Sequence, residues 1–334
     1  MVGVVLLAWA IPKLAFACGI DPTKALWLGA LNPLILMHFV SGAHNDALMV
    51  GLIAAGLALA VDNKPIIGTV AVTLAGSTKP IGLMALPFIG LLWAGPLARM
   101  SRVWVRWIFV GLIAAAILGV LAKYTADSWH EPLKDGLGWL SALSTPGAVK
   151  TWLSPPTAVG MMISGFLSIF GIDQSDAIIS VCRLIGTAAS FLIIVWLCLK
   201  PAGRTPIRGA AIGFFVLVAL GPVVQPWYLL WSLPLFAASG LGRIELRIAV
   251  IGTAGFTLYG LITSSATQDS LLQIPDIVAV VFVAIALIFA LAVSPSERRL
   301  MLGDPEDKGL LPDDKPSRAR AMMLTFGRPG LKDP

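Results

Sequence analysis

The fold is decided by residues 38–61, which read HFVSGAHNDALMVGLIAAGLALAV. Residues 47–61 are apolar throughout, as expected of a helix that lies in a membrane or in a protein core. Directly before them, residues 38–46 carry two histidines and an Asn-Asp pair, and a largely apolar run, 25–37, precedes these in turn. Polar groups are costly to hold in hydrocarbon, so their presence here predicts a functional site in a membrane protein.

The same apolar character continues along most of the chain. Of 334 residues, 57% are hydrophobic and only 13% are charged, and the mean hydropathy is +0.87. A soluble domain carries about 25% charged residues, so much of this surface must face lipid. Apolar runs of roughly 14–23 residues recur, without the alternating segments of a transmembrane β-barrel. The sequence therefore predicts an all-α, polytopic transmembrane helical protein.

About 11 spans are predicted. They are 2–18, 25–40, 46–61, 65–78, 80–94, 104–122, 177–199, 207–223, 226–240, 245–263 and 276–293. The short pair 65–78 and 80–94 is interpreted as half-helices that meet at Ser77-Thr78-Lys79-Pro80. Together the spans predict a transmembrane domain over 1–293.

Two segments are predicted to lie outside the membrane core. The apolar run 158–171 is interrupted by glycines and is short for a span, so we place it in an outer loop, 123–175, with interfacial helices. The tryptophans of that loop favour the membrane–water boundary. The tail 294–334 is rich in proline, glycine and both signs of charge, which predicts a mostly disordered segment.

Lysine and arginine predict the orientation, because they accumulate in cytoplasmic connections. They cluster in three connections and in the tail, at Arg99, Arg102, Arg106, Lys200, Arg204, Arg208, Arg243, Arg247, Arg298, Arg299, Lys308, Lys315, Arg318 and Arg320. All of these residues lie on the same side of the membrane if segment 158–171 does not span it. The tail is then predicted to be cytoplasmic, and we expect the membrane to be the plasma (inner) membrane. Connections 42–45, 76–80, 221–226 and 264–275, like the outer loop, face outward.

Several classes of function are disfavoured. The net charge of +6 and the pI near 9.4 arise from short loops and the tail, without a basic stripe interleaved with aromatics, so no nucleic-acid partner is predicted. Cys18, Cys182 and Cys198 lie in apolar runs without a Cys-x-x-Cys motif. This pattern argues against a disulfide framework and against a zinc site. Walker A, G-x-S-x-G and Rossmann motifs are missing. No resident cofactor is predicted, and a divalent cation stays an open alternative.

The first candidate site residues are His44, Asn45 and Asp46, at the predicted outer start of span 46–61. Asn45 and Asp46 fit a helix cap, since such side chains bond the free backbone N–H groups there. Alternatively, Asp46 orients a sugar hydroxyl, holds a metal with His44, or acts as a base. One histidine and one aspartate fall short of the three or four ligands of a usual metal site. His38 fits a core or interfacial histidine.

Two cations are further candidates. The Lys79 side chain either extends its ammonium group to the membrane interface or binds a phosphate together with the backbone N–H groups of 76–78. Arg183 lies six residues into span 177–199, about 9 Å from its start. At that depth it needs a partner, either a phosphate or one of the acidic residues Asp173 and Asp176.

Two outward segments supply the remaining polar candidates. Gln225, Trp227 and Tyr228 lie in Gly-Pro-Val-Val-Gln-Pro-Trp-Tyr, at 221–228. This pattern fits an interfacial aromatic belt or a surface that stacks on a sugar ring. The outer loop holds an acidic cluster with a histidine, read as a general base or as solvated surface: Asp127, His130, Glu131 and Asp135.

Several blocks together resemble the polyprenol-phosphomannose-dependent α-1,6-mannosyltransferases, integral-membrane glycosyltransferases of the GT-C type. The blocks are Asn32-Pro33-Leu34 through His38, Gly42-Ala43-His44-Asn45-Asp46-Ala47-Leu48-Met49-Val50-Gly51, Lys79-Pro80 with Ala85-Leu86-Pro87-Phe88, and Gly221-Pro222-Val223-Val224-Gln225-Pro226-Trp227-Tyr228-Leu229-Leu230-Trp231. The resemblance covers most of 25–293 in the same order. The His-Asn-Asp and Gln-Pro-Trp-Tyr blocks are its most specific parts.

The resemblance implies mannose transfer from a polyprenyl-phosphate donor to a lipid-linked mannan of the lipomannan type, with an α-1,6 linkage, at the outer face. It also implies one carboxylate base in the first outer loop of the full protein. That base is expected upstream of Met1, because the span parity places Met1 outside without a preceding segment. The catalytic residue is therefore unknown, with Asp46 as a candidate. The predicted substrate-binding residues are His44, Asn45, Asp46, Lys79, Arg183, Gln225, Trp227 and Tyr228.

Two alternatives remain open at this stage. A transporter or flippase for a lipid-linked sugar would be expected to spread polar residues through the membrane and to have repeated halves. The sequence has no clear internal repeat and its polar groups gather at one predicted face, which favours the enzyme. An inactive fragment of the mannosyltransferase is the other alternative.

Overall fold

A computed structural model describes residues 1–96, 98–126, 150–172, 174–200 and 203–265. Within these ranges every regular element is a helix or a helical turn, which confirms the all-α class. Four predictions fall outside the ranges and stay predictions: span 276–293, most of connection 264–275, the tail 294–334 and the acidic cluster of the outer loop.

The elements are numbered along the chain. They are α1 Val2–Ala17, α2 Pro22–Ala30, α3 Pro33–Ile35, a π-helical turn Leu36–Ser41, α4 Asp46–Val61, α5 Pro65–Thr78, a 3₁₀ helix Pro80–Ala85, α6 Leu86–Ala94, α7 Met100–Thr125, α8 Pro155–Ser168, α9 Ser175–Leu199, α10 Pro206–Ala219, a second 3₁₀ helix Pro226–Trp231, α11 Leu233–Ser239 and α12 Arg243–Ser265. Many begin at proline, whose fixed φ suits the first helical turn and whose missing N–H is not needed there.

Helix lengths bear on the predicted spans. Among the described helices, α7 and α9 are long and apolar enough to cross a membrane, and α2 with the segment 33–41 forms a third candidate bent by 42°. The helices α1, α4, α5, 80–94 and α10 are apolar but shorter. Within the described residues the predicted spans are largely helical, although 25–40 and 226–240 are each broken into shorter elements, and the number of spans stays a prediction. The break proposed at 77–80 is confirmed, since α5 ends at Thr78 and a new helix begins at Pro80.

Glycines set the close packing around α4. A Cβ atom on Gly51 would lie 2.3 Å from the backbone oxygen of Gly3, so α1 and α4 touch backbone to backbone. A Cβ on Gly68 of α5 would lie 2.5 Å from the oxygen of Gly56. Small residues allow such approaches between apolar helices. Because α5 follows α4 through a short turn, its end returns to the start of α4, next to Asp46.

The connections gather at two ends of the bundle. Asp46, Lys79 and Trp231 meet at one end through side-chain contacts. At the other end Lys13 pairs with Asp62, just beyond the last residue of α4, at 2.7 Å. There too, the Arg208 guanidinium bonds the carboxylate of Glu245 and the backbone oxygen of Gly240. Among the described connections, 42–45, 76–80 and 221–226 thus lie apart from the pairs of Lys13 and Arg208, and which side of a membrane each end faces stays a prediction.

The run 158–171, predicted to lie at the membrane surface, falls largely in α8. This helix packs antiparallel along the first half of α9, and a Cβ on Gly160 would lie 2.8 Å from the Cα of Ile179. The structure thus identifies its packing partner, and its depth in the membrane stays a prediction.

Candidate functional site

A buried ion pair forms the centre of the candidate site. Asp46 is the first residue of α4, and its side chain is 0% exposed. Its Oδ2 accepts a bond from Lys79 Nζ at 2.7 Å. Lys79 lies between α5 and the following 3₁₀ helix with an extended backbone, and 29% of its side chain is exposed. The carboxylate is therefore buried from solvent, while its cationic partner Lys79 is partly exposed.

Two aromatic residues complete this cluster. Trp231 Nε1 donates to the other carboxylate oxygen, Oδ1 of Asp46, at 2.7 Å. The rings of Tyr228 and Trp231 lie 4.1 Å apart, and Lys79 Nζ lies 5.8 and 5.9 Å from their centroids. A 3₁₀ helix has three residues per turn, so residues 228 and 231 share a face. At these distances both rings attract the ammonium.

These contacts exclude one interpretation of Asp46. Both carboxylate oxygens are bonded to groups distant in sequence, which makes the helix-cap interpretation wrong for this side chain. Asn45 takes the cap position, but its exposed side chain forms no capping hydrogen bond. Among the residues with described positions, no group of three or more His, Cys, Asp or Glu side chains could hold a metal ion. Asp46 is thus placed to hold Lys79.

A second cluster consists of three rings, His38, His44 and Trp227, here called the ring triad. His44 stacks on Trp227 with centroids 4.1 Å apart, and His38 lies 5.3 Å from Trp227 and 5.6 Å from His44. His38 is buried on the π-helical turn, a helix type frequent at functional sites. Ala43, next to His44, has a φ of 48°, which is uncommon for a residue with a Cβ atom.

Arg183 belongs to a third cluster, between α8, α9 and the start of connection 221–231. Its Nε donates to Thr157 Oγ1 at 2.9 Å, and this hydroxyl donates to the backbone oxygen of Pro222 at 2.6 Å. Ser154 Oγ donates to the oxygen of Gly221 at 2.8 Å. Of the acidic partners considered for Arg183, Asp176 pairs with Lys150 at 2.6 Å, and Asp173 lies outside the described residues.

Connection 221–231 joins all three clusters. Its first residues contact the Arg183 cluster and its last ones the ring triad and Asp46. Between them, the half-buried Gln225 begins the 3₁₀ helix, and its backbone oxygen accepts a bond from Tyr228 N at 2.9 Å. Five of the predicted site residues are therefore linked by successive contacts, in the order His44, Trp227, Tyr228, Lys79 and Asp46. The other three, Asn45, Gln225 and Arg183, adjoin them along the chain or through this connection.

Comparisons with known proteins identify the family. The family model described as "Alpha-(1->6)-mannopyranosyltransferase, N-terminal domain" matches residues 1–95, and one described as "MptB C-terminal domain" matches 156–293. An alpha-(1->6)-mannopyranosyltransferase of Mycobacterium tuberculosis is 32% identical over 87% of this chain and 57% of its own length. The chain belongs to the alpha-(1->6)-mannopyranosyltransferase family. This confirms the resemblance inferred from the sequence.

Two further relatives support the same family assignment. Alpha-(1->6)-mannopyranosyltransferase A of Mycobacterium tuberculosis is 33% identical over 75% of this chain and 48% of its own length. Alpha-(1->6)-mannopyranosyltransferase B of Corynebacterium glutamicum is 32% identical over 75% of this chain and 44% of its own length. The chain thus spans about half the length of the curated relatives it matches. No solved structure matches it.

The site combines both family-matched regions. His44, Asp46 and Lys79 come from the region 1–95, and Trp227 and Trp231 come from 156–293. Residues from two matched regions that lie far apart in sequence therefore form one polar cluster at one end of an apolar bundle.

Sequence reasoning missed two residues that matter for this geometry. Trp231 lies three residues after Tyr228, and the prolines at 222 and 226 signal a tight, non-α segment in which that spacing places both on one face. The sequence alone therefore contained a signal for Trp231. Thr157 gave no comparable signal, because a single hydroxyl near a helix start normally indicates a cap. Its contact with Pro222 depends on how α8 packs.

Replacement of Thr157 by valine is expected to destabilise the protein by about 1–2 kcal/mol, because the acceptor of Arg183 Nε and the donor to Pro222 O both disappear. Thermal unfolding of the purified chain in detergent measures the loss. Thr73→Val is the matched control, since that equally buried hydroxyl bonds only the oxygen of Thr69 in its own helix. Equal losses for both variants would show that Thr157 does not anchor the connection.

Proposed function

We propose that this chain transfers mannose from a polyprenyl-phosphate donor to a lipid-linked mannan acceptor of the lipomannan type. The new bond is an α-1,6 linkage, made at the outer face of the plasma membrane as part of cell-envelope synthesis. The observation that carries the proposal is Lys79, a cation held by a buried carboxylate, flanked by aromatic rings and open on one side at the end of an apolar bundle. Membership in a family of mannosyltransferases supports it.

The proposed reaction breaks the bond between mannose C1 and a phosphate oxygen and forms a bond from C1 to the acceptor O6. The acceptor hydroxyl proton passes to a base, and polyprenyl phosphate leaves. Negative charge develops on the leaving phosphate oxygen, and a preorganised cation stabilises it most where water is excluded. Lys79 takes this role in the proposal, with no metal required at this position, while Asp46 fixes the ammonium in place.

The remaining residues receive roles from their surroundings. Trp227 and Tyr228 offer faces on which a sugar ring stacks, and the exposed Asn45 and half-buried Gln225 offer amides to its hydroxyls. Arg183 acts indirectly, by holding connection 221–231 through Thr157. The base is left unassigned, because both oxygens of Asp46 are already bonded.

The test supplies radiolabelled polyprenyl phosphomannose and a short α-1,6-mannoside acceptor to membranes that contain the full chain. The expected product is a lengthened mannoside that an α-1,6-specific mannosidase cleaves and that still forms in EDTA. In sealed vesicles, a membrane-impermeant acceptor is expected to react only when the outer face is exposed. Movement of the lipid-linked sugar across the membrane without a new glycosidic bond would instead identify a transporter. Membranes with neither product nor transport would contradict both activities.

A further inference from the structure

Two buried nitrogen atoms beside the site have no partner. Nε2 of His38 and Nε1 of Trp227 are both inaccessible to solvent and form no hydrogen bond with any part of the chain that the structure describes. The whole His38 residue is only 7% exposed. Buried side-chain polar atoms are paired in the large majority of cases. Two unpaired atoms in the same ring triad therefore indicate a group that binds between or beside them.

The chemistry of the two nitrogens restricts what that group is. An indole N–H only donates, whereas Nε2 of a neutral histidine accepts when the proton lies on Nδ1. A hydroxyl group does both, so one hydroxyl accepts from Trp227 and donates to His38. The two rings are neighbours, with their centroids 5.3 Å apart.

The surroundings favour a sugar hydroxyl. The ring triad presents flat aromatic surfaces, and His44 already occupies a stacked position on Trp227. Pyranose rings combine an apolar C–H face with hydroxyls at the edge, which suits aromatic surfaces with a few polar atoms. Trp227 also contacts Tyr228 edge to face at 5.9 Å, and Lys79 lies beyond Tyr228. Trp227 is thus connected through Tyr228 to the cation assigned to the phosphate.

We propose that His38 and Trp227 form a hydroxyl-binding subsite for a pyranose ring. The inference rests on the proposed function and specifies which atoms recognise the sugar. His38, which the sequence suggests is a core or interfacial histidine, becomes a binding residue. The sugar belongs either to the donor lipid or to the acceptor mannan, and the two present the same hydroxyl chemistry.

The test measures binding rather than turnover. The purified full chain in detergent is titrated with polyprenyl phosphomannose, with polyprenyl phosphate and with an α-1,6-linked mannobiose. Monodeoxy analogues of each sugar are then compared on the unmodified protein. One deoxy position is expected to weaken binding by about 10–100-fold, because its absence again leaves both nitrogens unpaired. The ligand that shows this loss, lipid or mannobiose, identifies the source of the sugar.

Two substitutions connect that loss to the two nitrogens. Trp227→Phe removes the indole N–H and His38→Phe removes the acceptor, while each keeps a ring in the triad. In each variant the discrimination against the deoxy analogue is expected to fall, because one of the two hydrogen bonds to the hydroxyl is gone, and in the double variant it is expected to disappear. Trp107→Phe is the matched control, since its N–H bonds the oxygen of Pro87 at 2.9 Å. The control should keep the full discrimination.

Failure of this inference differs from failure of the proposed function. If every monodeoxy analogue binds as tightly as its parent, the two nitrogens hold only a buried water and the inference is overturned. The same holds if the discrimination survives unchanged in both variants. If discrimination is present but no glycosidic bond forms in membranes, the subsite stands and the transferase proposal fails.

Discussion

Lys79→Met is expected to lower mannosyl transfer by about 100-fold or more, because the only cation assigned to the leaving phosphate disappears. It is also expected to destabilise the protein by about 3 kcal/mol, the low end for breaking a buried pair, since Lys79 is itself partly exposed. The fully buried Asp46 carboxylate would keep only the Trp231 N–H. Initial rates in membranes and thermal unfolding in detergent measure the two effects.

The chain offers a matched ion pair as control. Lys13 and Asp62 lie 2.7 Å apart, the same distance as the site pair, but their side chains are 39% and 38% exposed. Exposed pairs contribute about 0–1 kcal/mol, so Lys13→Met should change neither stability nor transfer appreciably. If Lys13→Met and Lys79→Met behave alike, burial does not distinguish the pairs and the central role of Lys79 is wrong.

A double variant separates stability from chemistry. Asp46→Asn combined with Lys79→Met removes both charges, and the amide oxygen still accepts from Trp231. Replacing both members of a buried pair is often neutral, whereas removing one is not. The double variant should therefore recover much of the stability lost in Lys79→Met and none of the transfer. Recovery of transfer would show that Lys79 acts only by neutralising Asp46.

Local patterns in the sequence predicted much of the fold and part of the site. The apolar runs predicted the helices, and Ser77-Thr78-Lys79-Pro80 predicted the break that exposes Lys79. The cost of polar groups among apolar ones singled out residues 38–46. Each of these inferences depends on neighbours within a few turns, where helix periodicity, proline geometry and charge act directly.

The contacts that define the site lie beyond such local rules. Asp46 and Trp231 are separated by 185 positions, and their approach depends on how α1, α4 and α5 pack through glycines. Local propensity suggested a helix cap at 45–46, but the buried carboxylate has a lysine and an indole as partners, which a carboxylate out of water requires. The partner of Arg183 was equally unpredictable, because any nearby hydroxyl, carbonyl or carboxylate suits a guanidinium.

Trp231→Phe is expected to destabilise the protein by about 3 kcal/mol and to lower transfer about tenfold. The variant removes the donor to Asp46 Oδ1, a hydrogen bond to a charged group of about 1.5–3 kcal/mol, and leaves a small void where the indole was. Transfer falls because Asp46, with one oxygen freed, no longer fixes Lys79 in a single position. Unfolding in detergent and initial rates with the labelled donor measure the two losses.

The matched comparison is Trp107→Phe, whose indole N–H bonds a neutral backbone oxygen. A bond of that kind contributes about 1 kcal/mol, so this variant should lose less stability and no transfer. The coupling between Trp231 and Asp46 is then measured directly with Asp46→Ala, which removes the acceptor, alone and combined with Trp231→Phe. Since both substitutions alter one hydrogen bond, their effects should fall short of additivity by about 1–2 kcal/mol. Strict additivity would mean that the indole packs beside Asp46 without holding it, and Lys79 would then be positioned by Asp46 alone.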